Sequence, residues 1–244
     1  MTEPIPEYKV SPIQILHKLY QIHGTAMAKF PMVCKEQCAD CCTGNVVATS
    51  IEISYLLSKL NSQEIAHLNT RIKDGFPGKR YQPGMTTNGF AIQCMEENGP
   101  EPEEEENDPS WGKCPLLENG RCSVYEARPF GCRSMISELV CHDQGIAQVP
   151  PLALTLNTIF LQYIEHIDSK GFSGNLSDMV LLYLNQLDVC SNGGAGALYL
   201  SLENIENSDK TGGVIQNYKI PALMVPPEHR RDVESILKEI SALG

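Results

Sequence analysis

Eight of the chain's ten cysteines fall into two dense groups: Cys34, Cys38, Cys41 and Cys42, then Cys114, Cys122, Cys132 and Cys141. The first follows C-x3-C-x2-C-C, a spacing that lets one short loop aim several sulfurs inward, and neighbouring Cys41 and Cys42 cannot easily share one face of a core. Thiolates select zinc, copper(I) or iron–sulfur clusters over hard cations. Zinc would make a closed structural site without redox chemistry. An iron–sulfur cluster would bring electron transfer, sensing or an open iron for substrate. Eight thiolates suffice for two four-coordinate sites, or for one cluster with some cysteines left reactive, and the spacing allows either. Four thiolates around Zn²⁺ or a [4Fe–4S]²⁺ cluster keep a net charge of −2, which calls for hydrogen-bond donors and cations nearby. Arg121, Arg128 and Arg133 stand among the second group and are placed to supply them. Arg128 could equally pair with Glu126 or cap a turn.

Other reactive residues carry less. The C-x3-C-x2-C portion has the spacing of radical S-adenosylmethionine enzymes, but the alternating strands and helices of a barrel are missing, and Asp40 stands where those enzymes usually carry an aromatic. Cys141 and His142 are adjacent, and adjacent side chains point apart on most backbones. His17, His23, His67, His166 and His229 are scattered without metal-ligand spacing such as H-x3-H. The run from Asn192 to Gly196 follows a predicted helix rather than a strand, so it reads as a linker and not a phosphate cradle. Cys94 reads as a spare ligand or a free thiol, and Cys190 as a small buried hydrophobe.

The elements that must position the cysteines are mostly helical. Ser11 and Pro12 start a helix whose Ile15, Leu16, Leu19 and Tyr20 share one face. The first cysteine loop leads into a short candidate strand, Asn45 to Ala48, and Thr49 with Glu52 has capping-box spacing for a helix through Leu60. Ser62 to Asp74 forms the next helix, stopped by Gly75. Phe76 to Asp108 is rich in Gly, Pro, Asn and Glu and reads as an irregular excursion. Cys114 to Cys122 predicts a hairpin turning at Asn119-Gly120. If both of its cysteines serve one site, a three-residue bulged loop is expected, because a plain two-residue turn would put the sulfurs on opposite faces. Beyond Pro150-Pro151 come helices over Leu152 to Lys170, Leu176 to Leu187 and Pro227 to Leu243, with a break from Gly171 to Asn175.

The chain resembles a known family at Cys34-x3-Cys38-x2-Cys41-Cys42, Cys114-Pro115-Leu116-Leu117, Gly120-Arg121-Cys122, Val124-Tyr125-Glu126-x-Arg128-Pro129 and Cys132-Arg133. This combination resembles the YkgJ-type cysteine-cluster family, described as a zinc- or iron-chelating domain. The resemblance spans about Met32 to Cys141 and implies a mostly helical fold around a cysteine-lined centre, with the eight grouped cysteines as ligands. Flagellin lysine methylases carry the same cysteine pattern, which implies methyl transfer to a protein lysine as a less favoured function.

Composition narrows the class further. A formal net charge of −11 without a dense Lys/Arg run excludes nucleic acid and anionic membranes as expected partners; a protein partner is compatible. Residues 96–109, dense in Glu and Pro, read as a solvated acidic insertion. The start has no basic region followed by an apolar run, and no stretch approaches eighteen apolar residues. A cytoplasmic location is therefore expected, where cysteines stay reduced and clustered thiols bind metal rather than pair as disulfides. The expected fold is mainly α with a small β-hairpin around an irregular cysteine-lined centre. Its parts are an N-terminal helix at 1–31, a cysteine-cluster metal-binding domain at 32–145 and a helical region at 146–244 packing on it. The expected function is cysteine-ligated metal binding, with a [4Fe–4S] cluster favoured over zinc because no histidine stands at a partner spacing, and a redox or metal-handling role. The alternative is a binding module whose zinc shapes a surface.

Overall fold

The computed structural model describes residues 11–75, 78–96, 105–189 and 213–243. Most of the acidic insertion, the run from Asn192 to Gly196 and Cys190 lie outside the described residues. The first helix, α1 (Pro12–Met27), begins with proline at its first position, and Gln14 Oε1 accepts from Ser11 N–H at 3.2 Å. Its buried face runs through Ile15, Leu16, Leu19, Tyr20, His23 and Met27 and lies against α7 (Pro151–Ile167), the longest helix described.

Strand β1 (Val47–Thr49) leads directly into α2 (Ser50–Ser58). The predicted capping box is present: Thr49 Oγ1 accepts from Glu52 N–H at 3.4 Å and Glu52 Oε2 accepts from Thr49 N–H at 2.8 Å. The amphipathic α3 (Ser62–Gly75) follows, burying Leu68 and Ile72. Later come β2 (Leu117–Glu118), β3 (Arg121–Cys122), the short α5 (Phe130–Arg133) and α6 (Cys141–Gln144), then α7. The C-terminal part adds β4 (Phe172–Asn175), α8 (Leu176–Val189), β5 (Val214–Gln216) and α9 (Arg230–Ser241). Mainly helical with little sheet, the architecture is of the expected class.

Two elements were not expected. Helix α4 (Thr87–Met95) lies in the stretch read as irregular, and buries only Asn88 and Ala91. Its first turn is held locally and from outside: Thr86 Oγ1, at the N-cap, accepts from Gly89 N–H, and the buried Glu165 carboxylate on α7 accepts from Thr87 and Asn88 N–H at 2.8 and 2.7 Å. A helix stabilised this way shows little apolar periodicity. The second is a three-stranded antiparallel sheet, β1-β4-β5, in which Val47 pairs with Asn175 and Phe172 with Gln216. Phe172-Ser173-Gly174-Asn175 has weak strand propensity and becomes a strand because neighbours on both sides satisfy its backbone. Among the described residues, no helix is long and apolar enough to cross a membrane.

Candidate metal centre

The first cysteine loop is a series of tight turns. Cys38 N–H donates to Lys35 O at 3.0 Å with Gln37 in the left-handed region (φ 75°), and Cys42 N–H donates to Ala39 O at 3.1 Å. The loop then pairs with the second group through its backbone. Cys114 N–H donates to Cys42 O and Gly44 N–H to Gly112 O, both at 3.0 Å, with a bridge between Thr43 and Lys113.

The hairpin corrects one expectation. Leu117 pairs with Cys122 and Glu118 with Arg121, so the turn has two residues, with φ 48° at Asn119 and 78° at Gly120, and no bulge. Cys114 and Cys122 nevertheless line the same cavity. The face-parity rule assumes an extended strand from Cys114 onward, whereas Leu117 N–H donates to Cys114 O at 3.0 Å and turns the chain before the ladder begins. Two backbone donors then serve the sulfurs alike: Leu116 N–H points to Cys114 and Val124 N–H to Cys122.

Helix α5 carries Cys132. Its N-terminus is fixed by Phe130 N–H donating to Glu52 Oε1 at 2.5 Å, and Glu52 also accepts from Tyr20 Oη–H at 2.7 Å. Gly131 lets α5 lie directly on β1, since a Cβ there would sit 2.7 Å from Val47 O. Beyond α5, fully buried Ser137 ties two distant pieces together. Its carbonyl accepts from Val33 N–H at 2.9 Å and lies 3.9 Å from Cys34 Sγ, while its hydroxyl bonds Leu139 O, Leu139 N–H and Gln148 N–H at 2.7, 3.1 and 3.0 Å. Cys141 starts α6 two residues further on, its Sγ 3.9 Å from Leu139 O.

All eight grouped cysteines are thus gathered in one region. Seven line a single cavity of about 270 Å³, and Cys141 stands beside Cys34. As they stand, no three metal-ligating side chains among the described residues converge to metal-bonding geometry. Burial pushes the Cys114 thiol up to about 11. Burial also raises Cys132, reinforced by Cys114 and Cys122 and opposed by Arg128. Burial likewise raises Cys122 and Cys34. Cys41 and Cys42 share a thiol hydrogen bond, which raises the first and lowers the second. A cavity of thiols whose charged forms are disfavoured is suited to a cation that replaces their protons.

The three arginines differ in placement. Arg128 lies on the cavity wall, stacked 3.7 Å from the Tyr125 ring, with its buried Nε lacking a hydrogen-bond partner. Arg133 also reaches the wall, 4.1 Å from the Tyr20 ring, but donates to Arg128 O and Glu126 O at 3.0 and 2.6 Å. Arg121 turns to the surface and pairs with Glu36 at 2.7 Å. The opposite wall comes from α1: Tyr20, His23, Gly24 and Met27, spaced i, i+3, i+4, i+7. The sequence reading left His23 without a role because its signal is helical spacing from Tyr20, not spacing from a cysteine. Cys94 lies exposed on α4, outside the cavity lining.

A family model described as "CxxCxxCC: putative zinc- or iron-chelating domain" matches residues 33–149. Residues 33–149 are thus similar to that domain family. The match agrees with the cysteine-cluster resemblance and makes metal chelation the property the domain is described by. The matched segment contains all eight grouped cysteines, whereas α1, which contributes to the cavity lining, lies outside it. Comparison with curated proteins and with solved structures returns no match.

Proposed function

We propose that the cavity holds a metal centre ligated by Cys34, Cys38, Cys41, Cys42, Cys114, Cys122, Cys132 and Cys141, and that iron–sulfur ligation with a redox or metal-handling role is its function. The observation that carries this reading is the gathering of thiols from two distant chain segments around one cavity, beside an arginine whose buried Nε has no partner. That unpartnered donor fits the group, because a four-thiolate centre is anionic and draws N–H donors to its sulfurs. Leu116 and Val124 N–H already serve Cys114 and Cys122 in the same sense. An iron–sulfur centre would supply one-electron transfer or sensing. The protein's own residues would supply charge compensation through Arg128, an apolar wall through Met27, Val46 and Leu116, and a fixed frame through Glu52 and Ser137.

The test is iron, zinc and acid-labile sulfide content, with a visible spectrum, on protein purified without oxygen. Iron with matching sulfide and a colour bleached by dithionite is the expected result. Colourless protein with stoichiometric zinc would replace this reading with a zinc-shaped binding module. Cys38→Ser and Cys122→Ser should each lower metal content, and Cys94→Ser should not.

A further inference from the structure

We propose that the eight cysteines form two adjoining four-thiolate centres that cut across the sequence groups: an inner one of Cys42, Cys114, Cys122 and Cys132, and an outer one of Cys34, Cys38, Cys41 and Cys141. This division rests on the metal-centre reading and deepens it. Chain order alone would keep Cys42 with the first group and Cys141 with the second. The structure exchanges them.

Cys42 belongs to the second group by its backbone. Its carbonyl accepts from Cys114 N–H at 3.0 Å, and the Thr43–Lys113 bridge continues the pairing. The segment from Cys42 runs into β1, on which α5 and therefore Cys132 are seated through Gly131. Cys122 closes the set from across the hairpin, paired with Leu117. Cys141 belongs to the first group through Ser137, whose carbonyl holds Val33 beside Cys34 and whose hydroxyl holds the Leu139 turn before Cys141.

Burial separates five of the cysteines in the same sense, while Cys34, Cys42 and Cys141 are alike half-buried. Cys114, Cys122 and Cys132 pack against the hydrophobic core, whereas Cys38 and Cys41 are exposed. The neighbours of each thiol agree: Cys38, Cys141 and Cys41 stand near Cys34, whereas Cys114, Cys132 and Cys122 stand near Cys42. Arg128 acts on Cys122 and Cys132, which places its compensation at the inner centre. The Cys41–Cys42 thiol contact is the seam between the two. Each thiol that bonds metal releases its proton to solvent. The inner centre is the retained one, and the outer one, on exposed turns, exchanges with chelators.

The test is anaerobic titration of the reduced, metal-free full-length protein with Zn²⁺. Free thiols are alkylated with iodoacetamide at each step and mapped by peptide mass spectrometry. Each equivalent should abolish alkylation of one set as a unit, and Cys141→Ser should restore alkylation at Cys34 and Cys38 while Cys114 and Cys132 stay protected. Protection of Cys34, Cys38, Cys41 and Cys42 together, protection of all eight by one equivalent, or any other grouping would overturn the division while metal binding stands. No protection at any cysteine would overturn the division and the metal-centre reading together.

Discussion

Replacing Gly131 by alanine should unseat Cys132. A Cβ at that position would lie 2.7 Å from Val47 O and 3.2 Å from Val46 Cγ1, whereas ordinary contact begins at 3.4 Å. The nearer atom is a backbone carbonyl of β1, itself paired to β4, so it cannot swing aside as a flexible side chain would. Helix α5 must therefore retreat by about 0.7 Å, the shortfall between 2.7 and 3.4 Å. Overpacking of this kind costs about 1–3 kcal/mol, and the conformational gain of alanine over glycine in a helix offsets about 0.5–1 kcal/mol. The remaining loss, up to about 2.5 kcal/mol, lowers Tm by up to about 10 °C for a chain of this size. Metal–ligand distances tolerate only about 0.2 Å, so a displaced Cys132 should weaken metal binding. A loss of about 10–100-fold, the range seen when a ligand's support is removed, is expected. Circular dichroism melts and competition with a chromophoric chelator read the two effects. Gly24→Ala is the control, because on the same cavity's rim its Cβ would meet nothing within 4 Å. That variant should bind metal normally and melt no lower than wild type. A Gly131→Ala protein with wild-type Tm and metal affinity would refute the close seating of α5 on β1 as the device that positions Cys132.

Three further outcomes follow from named contacts. Glu52→Gln replaces a carboxylate that accepts from Tyr20 Oη–H, Thr49 N–H, Thr49 Oγ1–H and Phe130 N–H. With at least two of these donors left without an acceptor, it should destabilise by about 3 kcal/mol or more in urea denaturation, and a loss under about 1 kcal/mol would contradict the framing role given to Glu52. His23, packed on Phe130 and Phe160, has its pKa lowered from 6.5 to about 4 by burial, with Arg133 and Arg128 acting in the same sense and the Asn157 hydrogen bond opposing. A histidine depressed in the fold stabilises above pH 6.5, and that contribution is lost as pH falls towards 4. Wild type should therefore lose about 3 kcal/mol across this window that His23→Gln does not, and parallel acid profiles would count against it. Ser137→Ala leaves Leu139 and Gln148 N–H without their acceptor, costing about 1–3 kcal/mol. It should speed alkylation of Cys34 and Cys141 in the metal-free protein while Cys114 and Cys132 react at wild-type rates; equal rates at all four would sink the role given to Ser137.

Where local signals and tertiary demands coincide, the sequence was readable. The capping box at Thr49 and Glu52 appears as expected, and α7 and α8 run close to their periodic stretches. Helix α4 escaped although Thr86 caps it locally, because it buries only Asn88 and Ala91 and its first turn leans on a carboxylate of α7 that no local window contains. Strand β4 escaped because its four residues need β1 and β5 to become a strand. At the cysteines, residue type and clustering were legible from spacing alone. Their grouping was not, since Cys42 meets Cys114 only through a long-range backbone pairing, and Cys141 reaches Cys34 only through Ser137. Arginine positions near a cysteine in sequence were a weak guide: Arg128 reaches the wall, and Arg121, one residue from Cys122, turns to Glu36.

Because β1 pairs with β4, Val47 waits for Asn175 to be made. At about 5–20 residues per second, synthesis of the intervening chain takes on the order of ten seconds. Throughout that interval the first cysteine loop has left the ribosome, or is leaving it, without the strand that backs it. Its thiols are open to oxidation and to whatever metal arrives first. The proposed centre would gain its backing strand only once Asn175 has been made, so its sulfurs would have to stay reduced until then to be loaded correctly.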